Sequence, residues 1–188
     1  LINTSDETLK GTLKGLDDEG EVVEEMVDVE LPAHGRKQLD VAGAFEKHAD
    51  IGYIAFEAQS DAVQGYTKLA QEGICRTAIP AEKGGAGPVE GVLAKIEKNG
   101  GWTGIVFVNT ESDAASVELK AYDDAGATVA TRTITIAPRA KMIQFPEEIF
   151  SEDISGATYL SYSSDRYIVG FHINGSGDGK MLDGLPGL

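Results

Sequence analysis

The residues best placed to do chemistry are two acidic turns. Asp17, Asp18 and Glu19 lie together in "LDDEGEVV", with Glu21 beside them, and Asp123 and Asp124 recur in "YDDAGATV". Carboxylates at this density suit a hard cation. Ca²⁺ takes six to eight oxygens, commonly from several carboxylates and carbonyls. One hairpin supplies two or three, so a calcium site would need a second loop or a neighbouring module. Asp also hydrogen-bonds its own backbone in turns, and that reading ranks ahead of the metal. Asp17, Asp18, Glu19, Asp123 and Asp124 stand as the calcium candidates, and no other cofactor is expected.

The remaining chemical motifs are weaker. "GSGDGK" at 175–180 has Asn174 where a phosphate-binding loop needs its first glycine, and Met181 where it needs Ser or Thr. A hairpin turn at Asp178-Gly179 is the better reading. The three histidines, His34, His48 and His172, form no metal-spaced pair. Cys75 is the single cysteine, in a strand-like "GICRTAI", and reads as a small buried hydrophobe; alone it allows no intrachain disulfide. No serine occupies the G-x-S-x-G elbow of an α/β-hydrolase. Acid pairs for sugar hydrolysis have no spacing that singles any out. Trp102 reads as a plug closing one end of a core, and the aromatic pairs Tyr53/Tyr159, Phe56/Tyr162 and Tyr66/Phe171 as core packing.

These residues are held by elements that the chain writes twice. Asn3 matches Asn109 at an offset of 106, and the same offset relates Leu13 to Leu119, Asp17 to Asp123, Gly20 to Gly126 and Pro32 to Pro138. Between such anchors the register slips by a residue or two and then returns, as loop insertions in a duplicated fold would leave it. A period near 100 residues is a domain, whereas solenoid units run from about 20 to 50.

Each copy reads as β. "TLKGTL" and "SVELKAY" alternate apolar and polar residues, the period of a half-buried strand. Asp-Asp-x-Gly then makes a hairpin loop with glycine where a positive φ is wanted. The return strands stop at Pro32 and Pro138, which cannot donate to a ladder. Short helical patches follow near "VAGAFEKH" and "PEEIFSED", at most one per copy. The fold expected is all-β, two tandem antiparallel β-sandwich domains from an internal duplication. Residues 1–82 form the first module, with a truncated N-terminus, 83–88 a glycine-rich linker and 89–188 the second. "VEGVLAKIEK" is a further strand, assigned to the second module and followed by a turn at Asn99-Gly100-Gly101. The first copy has no counterpart to it, which suggests an excised piece of a longer array or, ranked behind that, an open sheet edge.

Composition narrows the partners. Of 188 residues 41% are hydrophobic and 23 are glycine, which suits small turn-rich modules. A net charge of −15, from 16 Lys plus Arg against 31 Asp plus Glu, argues against nucleic acid and anionic membranes. No apolar run approaches the roughly 18 residues of a membrane span, so no direct membrane insertion is expected.

"WTGIVFVNT", "AYDDAG", "TITIAP" and the closing "GLPG" resemble the tandem, immunoglobulin-like β-sandwich modules of exported bacterial surface proteins. Those carry a W-x-G-I-x-x-V-N opening and a Y-D-x-x-G hairpin. The likeness runs from Trp102 to about Gly187 and is weaker in the first copy, where Leu16 replaces the tyrosine. It implies a structural or adhesive role without catalysis, at the bacterial cell surface, in the periplasm or outside the cell. Its partners would be neighbouring modules and an extracellular protein or polysaccharide. The matched positions Trp102, Asn109, Gly126, Pro138, Asn3, Gly20 and Pro32 are expected to be structural. Alternatives are an extracellular ligand-binding module and, behind it, a hydrolase.

Overall fold

The computed structural model describes residues 1–71, 75–98 and 100–188. Expectations for Gly73, Ile74 and Asn99 lie outside the described residues. The fold is all-β; among the described residues there are two four-residue α-helices and one 3-10 turn, His48–Asp50, and the strands pair antiparallel. The chain divides into two compact units, Leu1–Tyr66 and Thr67–Leu188.

In the first unit β1 (Ile2–Asn3), β2 (Leu9–Leu16) and β3 (Val22–Leu31) precede α1 (Val41–Ala44), which β4 (Tyr53–Ala58) and β5 (Val63–Gln64) follow. β3, β2 and β4 form a three-stranded sheet in that order, and β1 pairs with β5. The core is small. Leu13, Val29 and Phe45 are buried, with Met26, Leu39, Ile54 and Phe56 packed partly buried around them.

The rest of the chain adds β6 (Tyr66–Gln71), β7 (Cys75–Pro80), β8 (Val89–Leu93) and β9 (Trp102–Asn109). β10 (Ala115–Tyr122), β11 (Thr128–Ile136) and β12 (Lys141–Gln144) lead to α2 (Pro146–Ile149). β13 (Tyr159–Ser164), β14 (Ile168–Gly175) and β15 (Leu182–Pro186) close the chain. Two four-stranded sheets result, ordered β11-β10-β13-β8 and β12-β9-β14-β15. Ile105, Phe107 and Ile168 from one sheet pack with Val117, Leu119 and Leu160 from the other in a single core. Burial of each such side chain contributes about 1.5–3 kcal/mol. β6 pairs with β7. Residues 67–80, which the repeat assigns to the first copy, group with the second unit, where the Thr77 hydroxyl accepts the Gly184 N–H at 3.0 Å.

The sequence pattern explains the elements. The burial of β10 alternates strictly, with Val117, Leu119 and Ala121 inward, as the spacing requires. α2 starts with Pro146, whose missing N–H costs nothing in a first turn, and the Glu148 carboxylate accepts the Phe145 N–H at 2.8 Å. Both helices end on a buried phenylalanine, Phe45 and Phe150.

Pairing in the two units follows one scheme. Leu16 lies opposite Val22 and Tyr53, and Tyr122 opposite Thr128 and Tyr159, each set 106 positions from the other. Ile2 bridges to Arg36, and Val108, 106 positions on from Ile2, pairs with Lys141, 105 positions on from Arg36. The strand over 89–98 is shorter than its sequence pattern, ending at Leu93, and it pairs with β13.

Candidate functional site

The acidic tips are built as hairpin loops. Asp17 Oδ1 accepts the Glu21 N–H at 2.8 Å, while the Asp17 carbonyl accepts the Gly20 N–H at 3.3 Å. Asp123 Oδ1 accepts the N–H groups of Ala125 and Ala127 at 2.9 and 2.8 Å, and its carbonyl accepts from Gly126 at 3.0 Å. Gly20 and Gly126 sit at φ of +89° and +79°, where side-chain-bearing residues are disfavoured. One carboxylate oxygen of Asp17 and of Asp123 is thus committed to its own backbone. Asp18, Glu19 and Asp124 sit on the exposed tips of these loops. Among the described residues no group of three or more His, Cys, Asp or Glu is placed to hold a metal ion.

The repeated asparagines are interior groups. Asn3 and Asn109 are 1% and 0% exposed. Asn109 Nδ2 donates to the carbonyls of Asp113, Ile136 and Ala137, and its Oδ1 accepts the Glu111 N–H. Asn3 Nδ2 donates to the carbonyls of Glu7, Leu31 and Pro32, and its Oδ1 accepts the Ser5 N–H. Each asparagine ties a strand end to the chain that follows the return strand. Pro32 directly follows β3, and Pro138 lies two residues beyond β11. Just after each proline the chain turns through a residue with positive φ, His34 at +53° and Arg139 at +56°.

Glu111 adds a clasp of its own. Its Oε1 accepts the N–H groups of Tyr167 at 2.7 Å and Gly87 at 2.9 Å, fixing the glycine-rich segment to the start of β14. Those two N–H groups, Tyr167 first, hold its carboxyl below the ordinary range, with the Arg166 charge adding to the effect. At 176–180 the chain makes the expected turn, with Gly179 at φ +72° and Asp178 Oδ1 accepting from the Ser176 hydroxyl at 2.7 Å. The Ser176 bond, then the Lys180 N–H, keeps the Asp178 carboxyl below its usual value.

Trp102 differs from expectation. It is 39% exposed and caps no core, because β9 begins there, at the end of its sheet. The ring lies against Gly175, where a Cβ would stand 2.2 Å from it, and meets Phe145 edge-on with centroids 6.3 Å apart. Phe145 and Ile143 are also exposed. Of the aromatic pairs, Tyr162 is buried and edge-on to Phe107, and Tyr159 stacks on Tyr122. Tyr66 is exposed, which departs from the core packing expected of it. Cys75 is half-buried.

One polar cluster escaped the sequence reading. His172 on β14 is fully buried, and neither ring nitrogen has a hydrogen-bond partner among the described residues. Nearby in the chain Asn174 Oδ1 accepts from the Thr103 hydroxyl at 2.6 Å, and Thr103 Oγ1 accepts the Glu97 N–H at 2.7 Å. Burial pushes the His172 pKa down; Asp183 opposes this and Lys95 reinforces it. The signal was the period of two that puts His172 on the same face as Ile168.

A surface hollow of about 430 Å³ lies beside Arg132, Met142 and Glu148, and one of about 410 Å³ beside Glu90, Lys120 and Tyr162. Neither lining brings a His or Cys to a carboxylate.

No model of a known family matches the chain, and no curated protein does. The solved structure titled "Crystal Structure of Thermotoga maritima 1070" is similar, at 10% identity and a TM-score of 0.43, over 53% of this chain and 91% of that one. Likeness at that level assigns no function. No helix among the described residues is long and apolar enough to cross a membrane.

Proposed function

We propose that the chain is a pair of duplicated, non-catalytic β-sandwich modules serving a structural or adhesive role in a bacterial exported or surface protein. One observation carries this reading: the polar residues that recur at offset 106 have matching jobs inside the fold. Asn3 and Asn109 stitch equivalent strand ends, and Asp17 and Asp123 close equivalent hairpins. A binding or catalytic site would be expected to draw some repeated polar groups away from such work. The strong negative charge fits a solvated, self-repelling surface. The test is labelling of intact cells of the source organism with antibody to this chain. Labelling without lysis supports surface exposure, and labelling only after lysis overturns it.

The second reading is an extracellular glycan-binding module, favoured by the exposed Trp102, Phe145 and Ile143 on the second unit. Aromatic rings with one face in water suit sugar faces. Co-sedimentation with insoluble cell-wall polysaccharides separates the two. Binding that Trp102→Ala abolishes would favour the module as a ligand-binder, and its absence would favour the spacer.

A further inference from the structure

β11 and β12 are edge strands of the two four-stranded sheets, and both line the hollow of about 430 Å³. Their pairing shows which side chains enter it. Arg132 lies opposite Leu119 and Ile134 opposite Val117, while Met142 lies opposite Phe107 and Gln144 opposite Ile105. Directly paired residues share a face of the sheet, and those four partners are fully buried in the core. Arg132 and Ile134 therefore come from the inner face of one sheet, and Met142 and Gln144 from the inner face of the other. The hollow is a side mouth of the sandwich. Ile149 within it is buried, Ile134 and Met142 are partly buried against the core, and Arg132 and Glu148 are exposed.

The first unit fills the same place with apolar side chains. Met26, 106 positions before Arg132, lies opposite Leu13 as Arg132 lies opposite Leu119. Leu39, 105 positions before Gln144, stands two residues ahead of α1 as Gln144 stands two ahead of α2. Met26 and Leu39 both pack partly buried against the core of Leu13, Val29 and Phe45. The second copy thus puts a guanidinium and an amide at two positions that hold hydrocarbon in the first. Neither side chain has a hydrogen-bond or ion-pair partner among the described residues, although the chain carries 31 Asp plus Glu. The carboxylate at the same rim is engaged, since Glu148 Oε2 accepts the Phe145 N–H at 2.8 Å. An inward-pointing charge also guards a sheet edge. That role needs Arg132 alone and gives no reason for Gln144 to replace Leu39.

We propose that this mouth binds a small organic anion, a carboxylate on an apolar body. The guanidinium offers paired N–H donors that match a carboxylate, and Gln144 adds an amide from the opposite sheet. The hydrocarbon lies on Ile134, Met142 and Ile149. Arg132 is the uncommitted charge of the lining, so it sets the sign of the ligand. A concave site with an apolar interior and few polar groups is the usual form of a small-molecule site. This goes beyond the structural reading and leaves it standing, because neither Arg132 nor Gln144 is a polar residue that recurs in the first copy.

The test is NMR of the 188-residue chain labelled at its methionine methyl groups, with sodium octanoate as the probe. The three methionines, Met26, Met142 and Met181, give three signals, and two of them are internal controls. Octanoate should move the Met142 signal saturably and leave Met26 and Met181 in place. Octylammonium, with the same body and the opposite charge, should move none. Arg132→Gln should raise the octanoate concentration needed by roughly tenfold. Arg132 is exposed, so the variant should fold, and the octylammonium comparison needs no variant. An unmoved Met142 signal at millimolar octanoate overturns the proposal, as does equal binding by Arg132→Gln or by octylammonium. Equal movement of all three signals would show detergent-like association and overturns it too. A Met142 shift that follows the chain's own concentration without octanoate would assign the mouth to a second copy, against the proposal.

Discussion

Asn3 and Asn109, 106 positions apart, make equivalent hydrogen bonds: each amide donates to three backbone carbonyls and accepts one N–H two residues ahead. Those carbonyls lie partly or wholly out of water, where a lost partner is costly. The asparagines thus act as rivets between a strand end and the far end of the neighbouring hairpin.

Asn109→Ala is expected to destabilise the chain by about 1–3 kcal/mol, because it takes a donor from the carbonyls of Asp113, Ile136 and Ala137, which lie partly or wholly out of water. Urea unfolding measures it. Asn109→Asp should be damaging as well, since a carboxylate cannot donate to the carbonyls of Ile136 and Ala137. A loss under about 0.5 kcal/mol for Asn109→Ala, the range of an ordinary surface change, would contradict the role.

Gly126→Ala isolates backbone strain. Its φ is +79° and a Cβ there would touch nothing within 4 Å, so the loss comes from conformation alone. The expected loss is about 1–2 kcal/mol. Gly126→Asn should recover much of it, because Asn tolerates the left-handed region. The same denaturation curves decide it.

His172 predicts a pH dependence. Burial lowers its folded pKa below the unfolded value of about 6.5, so the unfolded chain binds more protons as pH falls. The stability conferred by the neutral ring is complete above that value and declines as pH drops toward the folded pKa. The urea midpoint should therefore fall between pH 7.5 and 5, and His172→Leu should flatten that fall. An unchanged slope in the variant would assign the effect to other groups.

Trp102 and Phe107 make a pair of contrasting truncations. Phe107 is fully buried between the sheets, and Phe107→Ala should cost about 3–5 kcal/mol. Trp102→Ala should cost well under that, because the ring already meets water. As the single tryptophan, Trp102 should also be readily quenched by acrylamide in the native chain, and more so after Phe145→Ala removes its neighbour.

The local half of the structure was readable from the sequence. Asp-x-x-Gly loops obey rules that act within four residues, so Asp17, Gly20, Asp123 and Gly126 fell where their turns require. Strand alternation in 115–122 was equally plain, and the two short helices lie in the patches "VAGAFEKH" and "PEEIFSED". What was hidden depends on distant partners. The role of Asn109 rests on Ile136, 27 residues on, and nothing in the local pattern separates it from an exposed turn asparagine. Trp102 reads as core from its type, yet its position at a sheet end leaves it half in water. His172 lay on an inward face that the alternation marked, but a histidine draws attention as a ligand rather than as a buried neutral ring.

The central claim is that the repeated acidic and polar residues build the fold rather than a ligand site. Thermal unfolding in millimolar Ca²⁺ and again with chelator tests it most directly. With one carboxylate oxygen of Asp17 and of Asp123 committed to its own loop, and no group of three or more metal-ligating side chains gathered among the described residues, the two melting curves should coincide. A cation held at a hundred times its dissociation constant would add about 2.7 kcal/mol. A rise of that size, lost on Asp123→Ala, would make the acidic tips a metal site and contradict the account.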